Sequence, residues 1–170
     1  MQEATKTHWD ANGHLEVLTF DIGEEKLALE AMMIREILDL LPETRVPGAA
    51  PLVGSIINFR GKIIPIADLR LAFGMPAAEA TVESRIVVIE TDLDEETVQI
   101  GIRTDKVHEV ATLHRAASAE PPAVGMRWRR DYVREFVRQP DGIVVLPDLP
   151  AIFQSMARSG VAAALTPPHN

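Results

Sequence analysis

Five histidines, an acidic cluster and a basic–aromatic stretch are the places where this chain could do chemistry. His8, His14, His108, His114 and His169 are scattered, and no two stand four apart on a helical segment with a carboxylate, as a zinc hydrolase requires. Asp92, Asp94, Glu95 and Glu96 offer oxygens for calcium, but the stretch lacks the glycine and the spaced ligands of an EF-hand, so it reads as a solvated hairpin loop. Arg127-Trp128-Arg129-Arg130, with Tyr132 and Arg134, could stack on and neutralise a single nucleic-acid strand. A net charge of −8 argues against that use and for a surface loop. No P-loop, Gly-x-Gly-x-x-Gly or Gly-x-Ser-x-Gly sequence follows any strand-like run. Cysteines are absent, which removes disulfides, thiolate catalysis and cysteine-based zinc sites together. Glu36 and Arg60 stand apart from these: each charge is set among apolar neighbours, Ile34 and Ile37 around one, Phe59 and Ile63 near the other. A charge drawn toward a core is expected to find an opposite partner; two independent surface charges are the alternative.

The elements that would hold these residues are mostly strands. In Asn58 to Phe73 a glycine turn at Gly61 feeds the run Ile63-Ile64-Pro65-Ile66. Asp68 then caps a short helix over Leu69 to Phe73, which Gly74 and Pro76 end. Residues 1–14 are polar and aperiodic and read as a mobile tail. Leu15 to Ile22 and Leu27 to Leu29 form a hairpin about Gly23 to Lys26. Ala31 to Leu41 is open between a helix and a short helix running into a strand. Arg85 to Thr91 is a strand rich in β-branched residues. Val98, Ile100 and Ile102 alternate with Gln99, Gly101 and Arg103 as a half-buried strand does, and Lys106 to Leu113 continues the β pattern. Gln139-Pro140-Asp141-Gly142 is a hairpin turn between Tyr132–Arg138 and Ile143–Leu146, and Leu149 to Leu165 includes a terminal helix.

The chain repeats itself. Gly61…Pro65-Ile66-x-Asp68-Leu69…Phe73 is matched by Gly142…Leu146-Pro147-Asp148-Leu149…Phe153, with five residues from aspartate to phenylalanine in both. Leu27-x-Leu29 lies nine positions from Glu36 as Ile100-x-Ile102 lies from Glu109, counting first residue to glutamate. Two similar all-β lobes offset by about 75 to 80 residues account for this. A lobe of some 65 residues buries only ~60% of its surface and is marginal alone, so the lobes are expected to share a large apolar interface. The 46% hydrophobic content suits a folded soluble protein. No apolar run approaches the roughly 18 residues of a membrane span. The polar N-terminus does not read as a signal peptide, and a cytoplasmic location follows as an expectation.

Residues 15–154 resemble the CheW family of chemotaxis adaptors. The resemblance is strongest over Asn58-Phe59-Arg60-Gly61-Lys62-Ile63-Ile64-Pro65-Ile66-Ala67-Asp68-Leu69-Arg70, close to that family's Asn-Leu-Arg-Gly-x-x-x-Pro-x-x-Asp-Leu-Arg signature. Ile34-Arg35-Glu36-Ile37, Val46-Pro47, Ala50-Pro51, Thr104-Asp105-Lys106-Val107 and Asp141-Gly142 follow in the family's order. The resemblance implies an all-β fold with short helices, two SH3-like five-stranded barrels around a shared core, with no active site and no cofactor. Lobe 1 would span about 15–83 and lobe 2 about 84–154, with possible strand exchange between them, flanked by an N-terminal tail (1–14) and a C-terminal extension (155–170). It implies two partners, the regulatory domain of the histidine kinase CheA and the cytoplasmic hairpin tip of a chemoreceptor, and no nucleic acid. Carried over by position, the receptor groove would involve Ile34, Ser55, Asn58, Arg60, Gly61 and Val107, with Glu36 and Arg60 as a structural ion pair. Two departures stand out. Ser55 occupies a place where the family usually has glycine, and Pro147 replaces an aliphatic residue, which predicts that the last strand ends early. The rival reading is an acidic barrel that binds a small ligand or single-stranded nucleic acid through the Arg127–Arg134 cluster.

Overall fold

The computed structural model describes residues 6–119 and 129–157. Twelve strands and two helices follow one another in chain order among these residues. They are β1 (His14–Ile22), β2 (Glu25–Glu30), β3 (Ile34–Asp39), β4 (Thr44–Arg45), β5 (Ser55–Phe59), β6 (Lys62–Ala67), α1 (Leu69–Ala72), β7 (Arg85–Leu93), β8 (Glu96–Thr104), β9 (Lys106–His114), β10 (Ser118–Ala119), β11 (Val133–Gln139), β12 (Gly142–Pro147) and α2 (Leu149–Ala157). Ala31 to Leu41 resolves as a single 3₁₀ turn, Ala31–Met33, running into β3.

Two sheets result, ordered β10-β11-β12-β2-β1-β9 and β4-β5-β6-β8-β7-β3. Each has six strands rather than five, the extra ones being the two-residue β4 and β10. Replacing every strand of the first order by the one six places away along the chain gives the second, so the internal repeat is a pseudo-twofold. The first hairpin of each half is lodged in the other half's sheet: β2 runs parallel to β12 (Leu27 opposite Val145), and β8 runs parallel to β6 (Ile66 opposite Gly101).

Three apolar cores explain why so many strands are aliphatic on both faces. Leu15, Val17, Ala28, Leu113, Val137, Val144 and Leu146 fill one barrel, and Leu38, Ile57, Ile64, Ile66, Ile86 and Val88 fill the other. The largest core lies between them and includes Leu18, Phe20, Leu27, Leu29, Phe73, Val87, Ile89, Ile100, Ile102, Val145, Ile152 and Phe153. Successive residues therefore serve different cores: in Ile86-Val87-Val88-Ile89 the first and third enter a barrel, the second and fourth the shared core. Strands covered on both faces read as unbroken apolar runs. The half-buried reading of β8 is corrected on the same ground. Ile100, Gly101 and Ile102 are all buried, and a Cβ on Gly101 would come within 2.6 Å of Ile66 Cδ1 and 2.8 Å of Ile86 Cγ2.

Two further expectations change, and a third holds. The N-terminal segment from residue 6 is not all free tail. Asp10 Oδ1 accepts from the N–H groups of Asn12 and His14, His8 docks on Glu30, and Trp9 packs on the first barrel core. The acidic stretch is the exposed hairpin turn expected of it. Asp92 pairs with Thr97 and Leu93 with Glu96, leaving a two-residue turn at Asp94 (φ 49°) and Glu95 (φ 67°). Pro147 does not cut β12 short, since it sits opposite Val133 at a bulge between Val133 and Glu135 that tolerates the missing donor.

Candidate functional site

The tip of the β5–β6 hairpin holds the centre of the signature. Phe59 faces Lys62 across a two-residue turn in which Arg60 (φ 53°) and Gly61 (φ 81°) are both left-handed, the geometry that matches strand twist in tight hairpins. Asn58 fixes the turn, its Oδ1 accepting from the Gly61 N–H at 3.1 Å. The Arg60 guanidinium lies 4.6 Å from the Phe59 ring centroid, and its Nη1 is 3.5 Å from Glu36 Oε1. Glu36 and Arg60 therefore meet, but at the surface: their side chains are 42% and 76% exposed. Glu36 shares a face of β3 with buried Leu38, yet it stands at the rim of the barrel, and β3 is an edge strand. Apolar sequence neighbours do not imply a core there. Such an exposed pair contributes about 0–1 kcal/mol to stability. Ile37 and Ile63 are exposed on the same two strands.

The remaining groove residues are more dispersed. Ile34 opens β3, two positions from Glu36, and packs on the shared core. Ser55 starts β5 and turns to a second cavity of about 700 Å³, where its Oγ donates to Glu43 Oε1 at 2.5 Å. Glu43 also binds Arg103, whose Nη1 is 3.5 Å from Asp68 Oδ2. Val107 lies on β9 in the other sheet, opposite Phe20, and also touches the shared core. The structure thus gathers Glu36, Asn58, Arg60 and Gly61, with Ile34 adjoining, and leaves Ser55 and Val107 apart from that tip.

The last signature residue has a structural task that its sequence position did not reveal. Arg70 is buried and grips Asp105 in the β8–β9 turn with both Nη atoms, one at 2.7 Å from Oδ1. Asp105 Oδ2 also accepts the Gly23 N–H at 2.7 Å, so one carboxylate ties α1, the β1–β2 turn and the β8–β9 turn together. Burial pushes the Asp105 carboxyl up. The hydrogen bonds from Arg70 and Gly23 and the Arg70 charge outweigh burial and hold it below the usual carboxylate range. A depressed folded value means stabilisation that is present above the ordinary aspartate pKa and lost as the pH falls toward the folded one. Asp105→Asn is expected to cost about 2–3 kcal/mol at pH 7, less than a fully buried pair because Asp105 is 31% exposed. The gap to wild type should narrow on acidification below roughly pH 4; urea melts at pH 7 and pH 3.5 check it.

A second buried cluster lies in a cleft of about 640 Å³ lined by β2, the β7–β8 hairpin, β11 and the start of α2. Arg134 Nη1 is 2.9 Å from Glu30 Oε1 and His8 Nδ1 is 2.8 Å from Glu30 Oε2, with the Glu30 and Arg134 side chains only 7% and 14% exposed. Glu30 sits between Leu27-Ala28-Leu29 and Ala31-Met32-Met33. The rule that singled out Glu36, a charge flanked by apolar residues, finds a core charge here instead. Arg134 is therefore not a surface cation for nucleic acid. Arg129 is paired with Asp131 at 2.8 Å and stacks on the ring of buried Tyr132, while Arg127 and Trp128 lie outside the described residues. Among the described residues no group of three or more histidine, aspartate and glutamate side chains is placed to hold a metal, and no helix is long and apolar enough to cross a membrane.

Comparison with known proteins agrees with this architecture. The family model for the CheW-like domain matches residues 16–157. Chemotaxis protein CheW of Rhizobium meliloti (strain 1021) is 29% identical over 147 residues, covering 86% of this chain and 92% of the relative. The chemotaxis protein CheW of Bacillus subtilis (strain 168) is 25% identical over 136 residues, covering 80% and 85%. The crystal structure of scaffolding protein TtCheW from Thermoanaerobacter tengcongensis superposes with a TM-score of 0.72 at 26% identity, covering 82% of this chain and 92% of that one. On the doubled barrel and these matches together, the chain belongs to the CheW-like domain family.

Proposed function

We propose that this protein is a chemotaxis adaptor that couples chemoreceptors to the histidine kinase CheA, acting in the cytoplasm and without catalysis. Membership of the CheW-like domain family over residues 16–157 is the observation that carries this reading. Its output is geometry: a rigid doubled barrel holds two other proteins in register. The regulatory domain of CheA and the cytoplasmic tip of a receptor are the partners, and the tip is received by Ile34, Asn58, Arg60 and Gly61, with Ser55 and Val107 at the margins. An apolar helical tip laid against Ile34 would find a fixed Glu36–Arg60 pair to set its orientation, since charges at a rim act on register and encounter more than on gross affinity.

Two assays test the two arms separately. Purified protein should retain a CheA regulatory domain in a pull-down with micromolar-range affinity. Arg60→Ala should weaken receptor-dependent control of the kinase by about tenfold, as loss of an interfacial arginine anchor does. Unchanged kinase control in that variant counts against the assigned surface, and failure to retain the kinase domain counts against the adaptor reading itself.

A further inference from the structure

His14 and His114 stand directly opposite each other where β1 meets the edge strand β9. The Arg115 N–H donates to the Gly13 carbonyl at 2.8 Å, one residue outside the pair. His14 gives its own N–H to Asp10 Oδ1 and its carbonyl to the Asp10 N–H, both at 2.9 Å. This is the bonding pattern of a non-hydrogen-bonded antiparallel pair, the kind in which side chains approach most closely. The two imidazoles do so, edge to face, with centroids 4.6 Å apart. Buried Leu15 and Leu113 point the other way, into the barrel, so both histidines are on the outer face of the sheet. Glu16 is exposed on that same face, opposite Thr112.

We propose that His14 and His114 form a binding site for one late first-row divalent cation, of the class Zn²⁺, Ni²⁺ or Cu²⁺. Imidazole nitrogens suit these ions, and magnesium and calcium prefer oxygen. Two nitrogens each about 2.0–2.1 Å from one ion lie roughly 3 Å apart, within reach of rings this close. The Asp10 turn anchors the backbone of His14, so one ligand is held before the ion arrives. Water completes the coordination, with the Glu16 carboxylate one pair further along the face. A bound ion would clip the edge strand β9 to β1.

The test is calorimetric titration of the untagged full chain with NiCl₂. One equivalent is expected to bind. Even outer-shell partners of metal sites are worth about 10–100-fold, so His14→Ala and His114→Ala should each lose more than about tenfold in affinity. His108→Ala should bind as wild type, because its Nε2 faces Asp21 at 2.8 Å and takes no part in the pair. MgCl₂ should give no heat. A Ni²⁺ concentration a hundredfold above the wild-type Kd should raise the Tm of wild type by roughly 5–10 °C and that of His14→Ala by no more than about half as much. If either alanine variant loses its circular-dichroism signature, His14→Gln and His114→Gln replace it. Equal binding by wild type and both folded histidine variants, or no binding by wild type, overturns the proposal.

Discussion

Phe20→Ala should lower stability by about 3–5 kcal/mol, the range for emptying an aromatic site in a close-packed core, and drop the Tm by roughly 6–20 °C. Phe20 is fully buried in the core shared by the two barrels, and on β1 it stands between Leu27 of β2 and Val107 of β9. Relaxation around the hole is limited on the β2 side, where Ala28 packs into the first barrel core between Leu27 and Leu29. Both barrels lean on that core, so the variant should still unfold in one step, with circular dichroism at strand and aromatic wavelengths falling together. Val82→Ala, at an exposed position, is the control and should stay within about 0.5 kcal/mol of wild type. Two separated transitions in Phe20→Ala would mean that the barrels are energetically independent.

Glu30→Ala should cost a similar amount, about 3–5 kcal/mol, for a different reason. Removing the carboxylate leaves the Arg134 guanidinium buried without its partner and strips His8 of its anchor. Arg134 Nε is already buried without a hydrogen-bond partner, so the site has little polar reserve. The informative comparison is Glu30→Leu combined with Arg134→Met. Replacing a buried pair by apolar side chains of similar volume is often neutral or stabilising, so the double variant should recover most of the loss. Additive losses in a double-mutant cycle read by urea denaturation would sink this account.

Much of the fold was legible because its signals are local. Asp68 caps α1 by accepting the Arg70 N–H at 3.1 Å, Gly74 follows with φ 66°, and Pro140-Asp141 closes β11 on β12. The repeat pointed to two lobes with a shared core, and the core is there. The parts that escaped are those decided by distant residues. Nothing near Glu30 in the chain identifies Arg134, 104 positions away, and nothing near Trp9 identifies the barrel it packs on. At the candidate site the hairpin tip could be read from Asn58-Phe59-Arg60-Gly61. The exposure of the Glu36–Arg60 pair could not, because whether a strand lies at an edge or in the middle of a sheet is a property of the topology.

The exchange of first hairpins sets an order of events during synthesis. β3 to β8 hold everything their sheet requires once residue 104 has emerged. The hairpin of β1 and β2 is made before its sheet partners, meeting β9 only after residue 106 and β12 only after residue 142. Until then Leu18, Phe20, Leu27 and Leu29 can pack only on the completed sheet's Val87, Ile89, Ile100 and Ile102, while their own strands pair with nothing but each other, and an isolated two-stranded hairpin is marginal in water. That hairpin is thus made before its sheet partners and locked in place only after them. Chaperone demand and any tendency to aggregate in the nascent protein should concentrate on that waiting hairpin.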